Sequence, residues 1–222
     1  MKIHRIHGWG LSPVEAVALQ RTLATRVVRK SALKEVHLIA GVDLSPEDPV
    51  TGAARAAIVL LSYPDMRVEE IATAEAKPPF PYVPGLLSFR EAPIILQAAE
   101  KLSRTPDLLL VDGQGIAHPR RLGIASHLGL FLDIPTIGCA KSRLAGRHEP
   151  PGAEVGDYAE LRDRGEVIGV ALRTRRRSNP LYVSIGHKVS LDDAITWTLA
   201  TSSGYKVPEP TRLAHYAAAG QL

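Results

Sequence analysis

The chain has one cysteine, Cys139, among 222 residues. A lone thiol cannot close an intrachain disulfide or supply the thiolate set of a structural zinc site, so neither staple is available. Cys139 therefore reads as a small buried apolar residue. The first residues, Met1-Lys2-Ile3-His4-Arg5, lack the apolar stretch of a secretory signal. No apolar run is long enough to cross a bilayer, so we expect no membrane partner and a cytoplasmic location. Internal repeats and low-complexity tracts are also missing. So are the two common phosphate loops: no G-x-x-x-x-G-K-[ST] occurs, and the nearest approach to G-x-G-x-x-G, beginning at Gly113, has His118 at its last position.

What is present is enough apolar material for a core. Hydrophobic residues make up 45% of the chain, which excludes wholesale disorder. The formal charge of +4 is a modest excess that permits a polyanionic partner without demanding one. Positive charge gathers at Arg120-Arg121, at Lys141-Ser142-Arg143 with Arg147, and at Arg173 to Arg177.

A helix is expected from Ser12, where Ser12-Pro13-Val14-Glu15 forms a capping box with proline at the first helical position, to about Ala32. Val36 to Val42, Ala56 to Leu61 and Val68 to Ala74 read as three strands, and the short links between them imply an antiparallel meander. Lys77 to Pro84 carries four prolines and two aromatics, so it can be neither helix interior nor central strand; it reads as a stiff projecting loop. A helix over Leu86 to Leu102, a doubly buried strand over Leu108 to Val111, a helix over Arg120 to Leu132 and a strand over Thr136 to Gly138 follow. Ala153 to Ser184 reads as added strands with turns at Gly165 and Asn179-Pro180. Helices from Ser190 to Ala200 and from Pro210 to Ala219 end the chain. This order matches a ribonuclease H-like α/β core: a mixed sheet, three antiparallel strands then parallel strands, flanked by helices, with a C-terminal elaboration. Residues 1–222 are expected to form one domain.

Asp43 and Asp112 each end an apolar strand. If those strands are neighbours, two carboxylates meet at one sheet edge, where they can hold a hard divalent cation such as Mg²⁺ against a phosphate. Without a cation they would repel, and one would tend to protonate. Either aspartate is equally readable as a turn or cap residue. For Glu91 the local reading is a capping box with Ser88.

Five stretches between and around these residues resemble one family, endonuclease V: Gly41-Val42-Asp43-Leu44-Ser45, Pro81-Tyr82-Val83-Pro84-Gly85, Leu87-Ser88-Phe89-Arg90-Glu91, Val111-Asp112-Gly113-Gln114-Gly115 and Ala117-His118-Pro119-Arg120-Arg121-Leu122-Gly123. Leu44 stands where the family more often has a β-branched residue. The resemblance implies a ribonuclease H-like fold and Mg²⁺-dependent nicking, with Mn²⁺ as substitute, at the second phosphodiester 3′ to a deaminated base, leaving 3′-hydroxyl and 5′-phosphate ends. The partner it implies is DNA containing deoxyinosine, and RNA containing inosine extends the same chemistry. By motif match, Asp43, Glu91 and Asp112 take the metal positions, His215 that of a catalytic histidine, and Lys141 that of a lysine near the scissile phosphate, where a point charge suits a developing oxyanion.

The resemblance also makes Pro81, Tyr82, Val83 and Pro84 a strand-separating wedge. Flanking prolines limit the entropy lost on insertion, and Tyr82 offers a face for stacking worth about 1–3 kcal/mol per base. Gly85, Leu87, Gly113, Gln114, Gly115, His118, Gly123 and Ile124 are its base pocket. There bare glycine backbone can approach a flipped hypoxanthine, which presents an O6 acceptor and an N1–H donor and lacks the 2-amino group of guanine. Arg120 and Arg121 are expected to contact phosphate or hold the pocket, with Arg175 to Arg177 as further backbone contacts. Two other readings compete. A non-catalytic nucleic-acid-binding module has no use for clustered carboxylates. A nucleotide-binding α/β protein would need the phosphate loop this sequence lacks.

Overall fold

The computed structural model covers residues 1–222. Its centre is one eight-stranded sheet in the order β3-β2-β1-β4-β5-β8-β7-β6. The strands are β1 (Leu38–Leu44), β2 (Ala54–Ser62), β3 (Val68–Ala76), β4 (Leu108–Val111), β5 (Thr136–Ala140), β6 (Tyr158–Asp163), β7 (Glu166–Leu172) and β8 (Leu181–His187). The first three form the expected antiparallel meander, β1, β4 and β5 run parallel, and β8, β7 and β6 add an antiparallel extension beside β5.

Alternation along the strands feeds both faces. Leu109 and Val111 of β4 join Ala40, Val42, Ile58 and Leu60 in the core under α2 (Leu87–Glu100) and α3 (Ile124–Leu132). Leu108 and Leu110 point the other way, into a core shared with Ile39, Ile137, Val183, Leu23 of α1 (Pro13–Ala24) and Ala194 of α4 (Leu191–Ala200). Ala57, Val59 and Leu61 of β2 bury against Ala214, Ala217 and Ala218 of α5 (Glu209–Ala218). At roughly 1.5–3 kcal/mol per buried aliphatic side chain, the four residues of β4 anchor the sheet between its two helical layers. No helix is long and apolar enough to cross a membrane.

The largest differences from the sequence reading are two helix boundaries and one cap. The first helix ends at Ala24, not near Ala32. Thr25 Oγ1 turns back onto the Thr22 carbonyl at 2.8 Å, and the following segment runs extended beside the end of β8, with Lys188 N–H donating to Val28 O at 2.7 Å and Ala32 N–H to Lys188 O at 2.9 Å. The expected helix from Arg120 begins only at Ile124, because Arg121 takes a left-handed φ of 59° and Gly123 N–H is bound to Gly115 O at 2.9 Å. The expected capping box at Ser88 and Glu91 is not formed: α2 is capped at Leu86 without a side-chain bond, so Ser88 and Glu91 both lie inside the helix.

Candidate active site

Parallel pairing of β1 with β4 sets Val42 opposite Val111, so Asp43 and Asp112, the next residues on each chain, leave the same sheet edge side by side. Neighbouring strands lie about 4.8 Å apart, close enough for two carboxylates to interact strongly. Glu91 reaches the same place from the first half of α2. Its carboxyl is pushed up to about 7, first by burial and then by the charges of Asp43 and Asp112. Asp43 is also raised, by burial and by Asp112, against the opposing effect of a hydrogen bond to His215. The influence of Asp112 on both, and of Asp43 on Glu91, joins the three acids in one electrostatic cluster, although they come from three separate segments.

Two basic groups complete it. His215 on α5 has Nδ1 2.8 Å from Asp43 Oδ2. Lys141, just past β5, forms an ion pair with Asp112. Lys206 in turn donates from Nζ to the Lys141 carbonyl at 3.1 Å. The helix carrying His215 can sit this close only because Gly41 has no side chain: a Cβ there would lie 2.0 Å from the carbonyl carbon and oxygen of Pro210, at the start of α5.

As arranged, no three of these side chains close into a ready-made metal cage. Lys141 and His215 each engage one carboxylate, the ordinary response of crowded acids to their own repulsion. The donor set is nevertheless of the right chemistry. All three acids offer hard oxygen ligands, and burial together with the charge of Asp112 pushes Asp43 and Glu91 toward protonation, so a hard divalent cation would relieve the cluster.

Asp112 and Lys141 also line a cavity of about 460 Å³. Its wall includes Tyr82, Val83, Pro84 and Gly85 on one side and Leu87, Gly113, Gln114, His118, Gly123 and Ile124 on the others. Gly115, expected there, lies outside it. Its N–H is bound to Ser184 Oγ at 2.9 Å, and a Cβ would meet Ile185 O, so its bare backbone serves packing against β8. Gln20, Ser88, Leu122, Ala140, Ser142 and Leu144 are lining residues that sequence reasoning missed. Only spatial proximity identifies them, although Ser88 and Leu122 stood inside recognised stretches. Gln114 Nε2 donates to Ser142 O at 2.8 Å, while its Oε1 is buried with no hydrogen-bond partner.

The Pro81–Pro84 loop stands out from the surface. Tyr82 is 75% exposed, while Phe80 just before it is 3% exposed and packs with Phe89, Leu86 and Ala16. At its base Gly85 takes a φ of +77°, and its carbonyl accepts from Gln20 Nε2 at 3.0 Å, His118 Nε2 at 3.0 Å and Arg120 Nη2 at 2.7 Å. His118 Nδ1 accepts from the Arg120 N–H at 3.1 Å, which fixes the Nε2–H tautomer. Burial and the neighbouring Arg120 push its pKa down to about 4, so it is neutral near pH 7.

Arg120 and Arg121, expected to contact phosphate or hold the pocket, are both engaged by groups of this chain. Arg120 is spent on Gly85 O and Gln20 Oε1, holding the pocket, and Arg121 on Asp163 and Glu166, with its Nη2 2.8 Å from Asp163 Oδ2 and its Nε 2.6 Å from Glu166 Oε2. Of the third basic run, Arg176 pairs with Glu154.

Comparison with known proteins places this geometry. The family model for endonuclease V matches residues 21–216. An endonuclease V of Dehalococcoides mccartyi is 51% identical over 99% of this chain and 98% of its own length. The crystal structure of the Streptomyces avermitilis endonuclease V superposes with a TM-score of 0.87 at 42% identity, covering 93% of this chain and 91% of that one. A Ciona intestinalis endonuclease V (D234N) in complex with a 23mer DNA containing an inosine followed by a ribo-adenosine gives a TM-score of 0.82 at 28% identity, covering 95% of this chain and 98% of that one.

Proposed function

The chain belongs to the endonuclease V family of phosphodiester-hydrolysing nucleases, and from that premise we propose that it recognises inosine in a nucleic-acid strand and nicks the second phosphodiester on the 3′ side, leaving 3′-hydroxyl and 5′-phosphate ends. The observation that carries this reading is a single cavity wall: Asp112 and Lys141 share it with the exposed Tyr82 loop, so the reacting groups and the loop that parts the strand face one substrate. The DNA complex of the Ciona relative supports inosine-containing DNA as that substrate.

Asp43, Asp112 and Glu91 would hold Mg²⁺, or Mn²⁺ in its place. That cation supplies Lewis-acid polarisation of the phosphate and relieves the repulsion among the three acids. His215 donates from Nδ1–H to Asp43, which leaves Nε2 with a lone pair to take the proton of the attacking water. Asp43 thereby fixes the histidine tautomer and stabilises the imidazolium that forms. Lys141 is close enough to Asp112 to follow the phosphate and neutralise charge building on its oxygens. Tyr82 stacks in the gap left when the base leaves the helix, and the bare backbone at Gly85, Gly113 and Gly123 receives hypoxanthine while leaving no room for a 2-amino group.

The test is a matched set of inosine-DNA, inosine-RNA and undamaged strands with Mg²⁺, run beside Asp43→Ala. The expected result is nicking of inosine strands only, with Asp43→Ala binding the lesion without cutting it. Full activity in Asp43→Ala would end the assignment of the acidic cluster, and equal cutting of undamaged strands would end the assignment of the cavity.

A further inference from the structure

Ser88 lines the cavity, and behind it, away from the acidic cluster, runs a chain of hydrogen bonds. His127 is fully buried on α3, and its Nδ1 is 3.0 Å from Ser88 Oγ. Its Nε2 is 2.7 Å from Nε2 of His7, and His7 Nδ1 is 2.7 Å from the Gly8 carbonyl. The two imidazoles meet end to end, with ring centroids 4.9 Å apart and planes inclined by 29°, inside a box made by Trp9, Phe89 and Phe131. Burial lowers the pKa of both, so both rings are neutral near pH 7.

Neutral rings leave one direction for the protons. A carbonyl only accepts, so His7 Nδ1 carries the hydrogen that it donates to Gly8 O. His7 Nε2 is then bare and accepts from His127 Nε2–H. His127 Nδ1 is bare in turn and accepts from the Ser88 hydroxyl. The one proton of Ser88 is thus directed away from the cavity, and Oγ is left with lone pairs only.

Resting on the reading that the cavity takes a flipped purine, we infer that Ser88 is a specificity-determining acceptor for the purine N1–H, with His127 and His7 as positioning residues that keep its hydroxyl proton turned away. Hypoxanthine carries a hydrogen on N1. Adenine has a bare N1 there and would meet lone pair with lone pair. Guanine also carries N1–H, so this device separates inosine from adenine and leaves guanine to the bare-backbone filter.

The test measures binding, with Ca²⁺ in place of Mg²⁺, to single strands with inosine, adenosine or guanosine at one central position. Ser88→Ala should weaken inosine binding by about 3- to 10-fold, the range of one hydrogen bond, while adenosine binding, relieved of the lone-pair clash, does not fall and the ratio of inosine to guanosine stays fixed. His127→Phe keeps an aromatic in the box but frees the Ser88 hydroxyl to turn toward the cavity, so adenosine binding should rise relative to inosine. His127→Asn, whose side-chain oxygen can stand where Nδ1 stood, should restore discrimination. An unchanged inosine-to-adenosine ratio in Ser88→Ala, or an equal loss for all three bases in His127→Phe, would overturn the inference. A wild-type protein that does not prefer inosine to adenosine would overturn the function proposed above, and this inference with it.

Discussion

His215 Nδ1 lies 2.8 Å from Oδ2 of Asp43, a bond that joins the last helix to the first strand across 172 positions of sequence. In the proposed mechanism it leaves Nε2 free to take a proton. His215→Ala should therefore cut the cleavage rate about 10²- to 10⁴-fold, the usual worth of general-base catalysis, with little change in affinity for an inosine strand. The half-exposed ring contributes little packing, so the melting temperature should barely move. Single-turnover cleavage rates beside equilibrium binding check this. A matched fall in rate and affinity would make His215 a binding residue instead.

The same bond depends on a residue that does no chemistry. Gly41→Ala puts a methyl group 2.0 Å from the Pro210 backbone, which cannot yield without moving the start of α5. Overpacking of this kind costs about 1–3 kcal/mol. The prediction is a lowered melting temperature together with a rate loss larger than that stability change explains, because α5 carries His215 away from Asp43. A normal rate in a destabilised Gly41→Ala protein would show that α5 need not be held at this distance.

Tyr82 and Phe80 are two residues apart with opposite surroundings, one exposed and one packed on Phe89. Tyr82→Ala should leave thermal stability unchanged and weaken binding to an inosine-containing duplex by an amount worth about 1–3 kcal/mol, with a smaller effect on single strands that need no parting. Phe80→Ala should cost about 3–5 kcal/mol of stability by opening a cavity under the loop. Urea unfolding of both variants beside duplex and single-strand binding separates the roles. Equal losses on duplex and single strand in Tyr82→Ala would remove the strand-parting role.

The sheet was legible because its strands carry their own signals: β4 matched its expected bounds, and Asp43 and Asp112 could be placed at strand ends from local pattern alone. What was not legible lies in contacts between distant segments. The capping box expected at Ser88 and Glu91 satisfies every local rule, yet Ser88 Oγ is bound to His127 on another helix and Glu91 faces Asp43 and Asp112. For Arg120 and Arg121 the sequence left phosphate contact and pocket support both open, because the Gly85 carbonyl that Arg120 meets and the Asp163 and Glu166 that Arg121 meets come from far along the chain. Gln20 carried no signal at all, although it is 1% exposed and bonds to both Gly85 O and Leu122 O.

Glu91 and His118 make opposite contributions to stability over overlapping pH ranges, and this allows the acidic cluster to be tested without substrate. The folded-state pKa of Glu91 is raised from 4.5 to about 7. Between those values the folded protein binds more protons than the unfolded one, so this contribution weakens as pH rises through the window and is fully lost above about 7. The pKa of His118 is lowered from 6.5 to about 4. There the unfolded chain binds more protons, so stability falls as pH drops from about 6.5 to 4. The two partly cancel in the metal-free protein and hide one another in a single melting curve. Glu91→Gln removes only the first. Its melting temperature should match that of wild type near pH 4.5 and exceed it by a growing margin up to about pH 7.5, and added Mg²⁺ should narrow that margin by stabilising wild type more than the variant. A margin that stays flat with pH would mean that Glu91 does not share the charge of Asp43 and Asp112. A margin that grows with pH but ignores Mg²⁺ would leave the cluster acidic without making Glu91 a ligand.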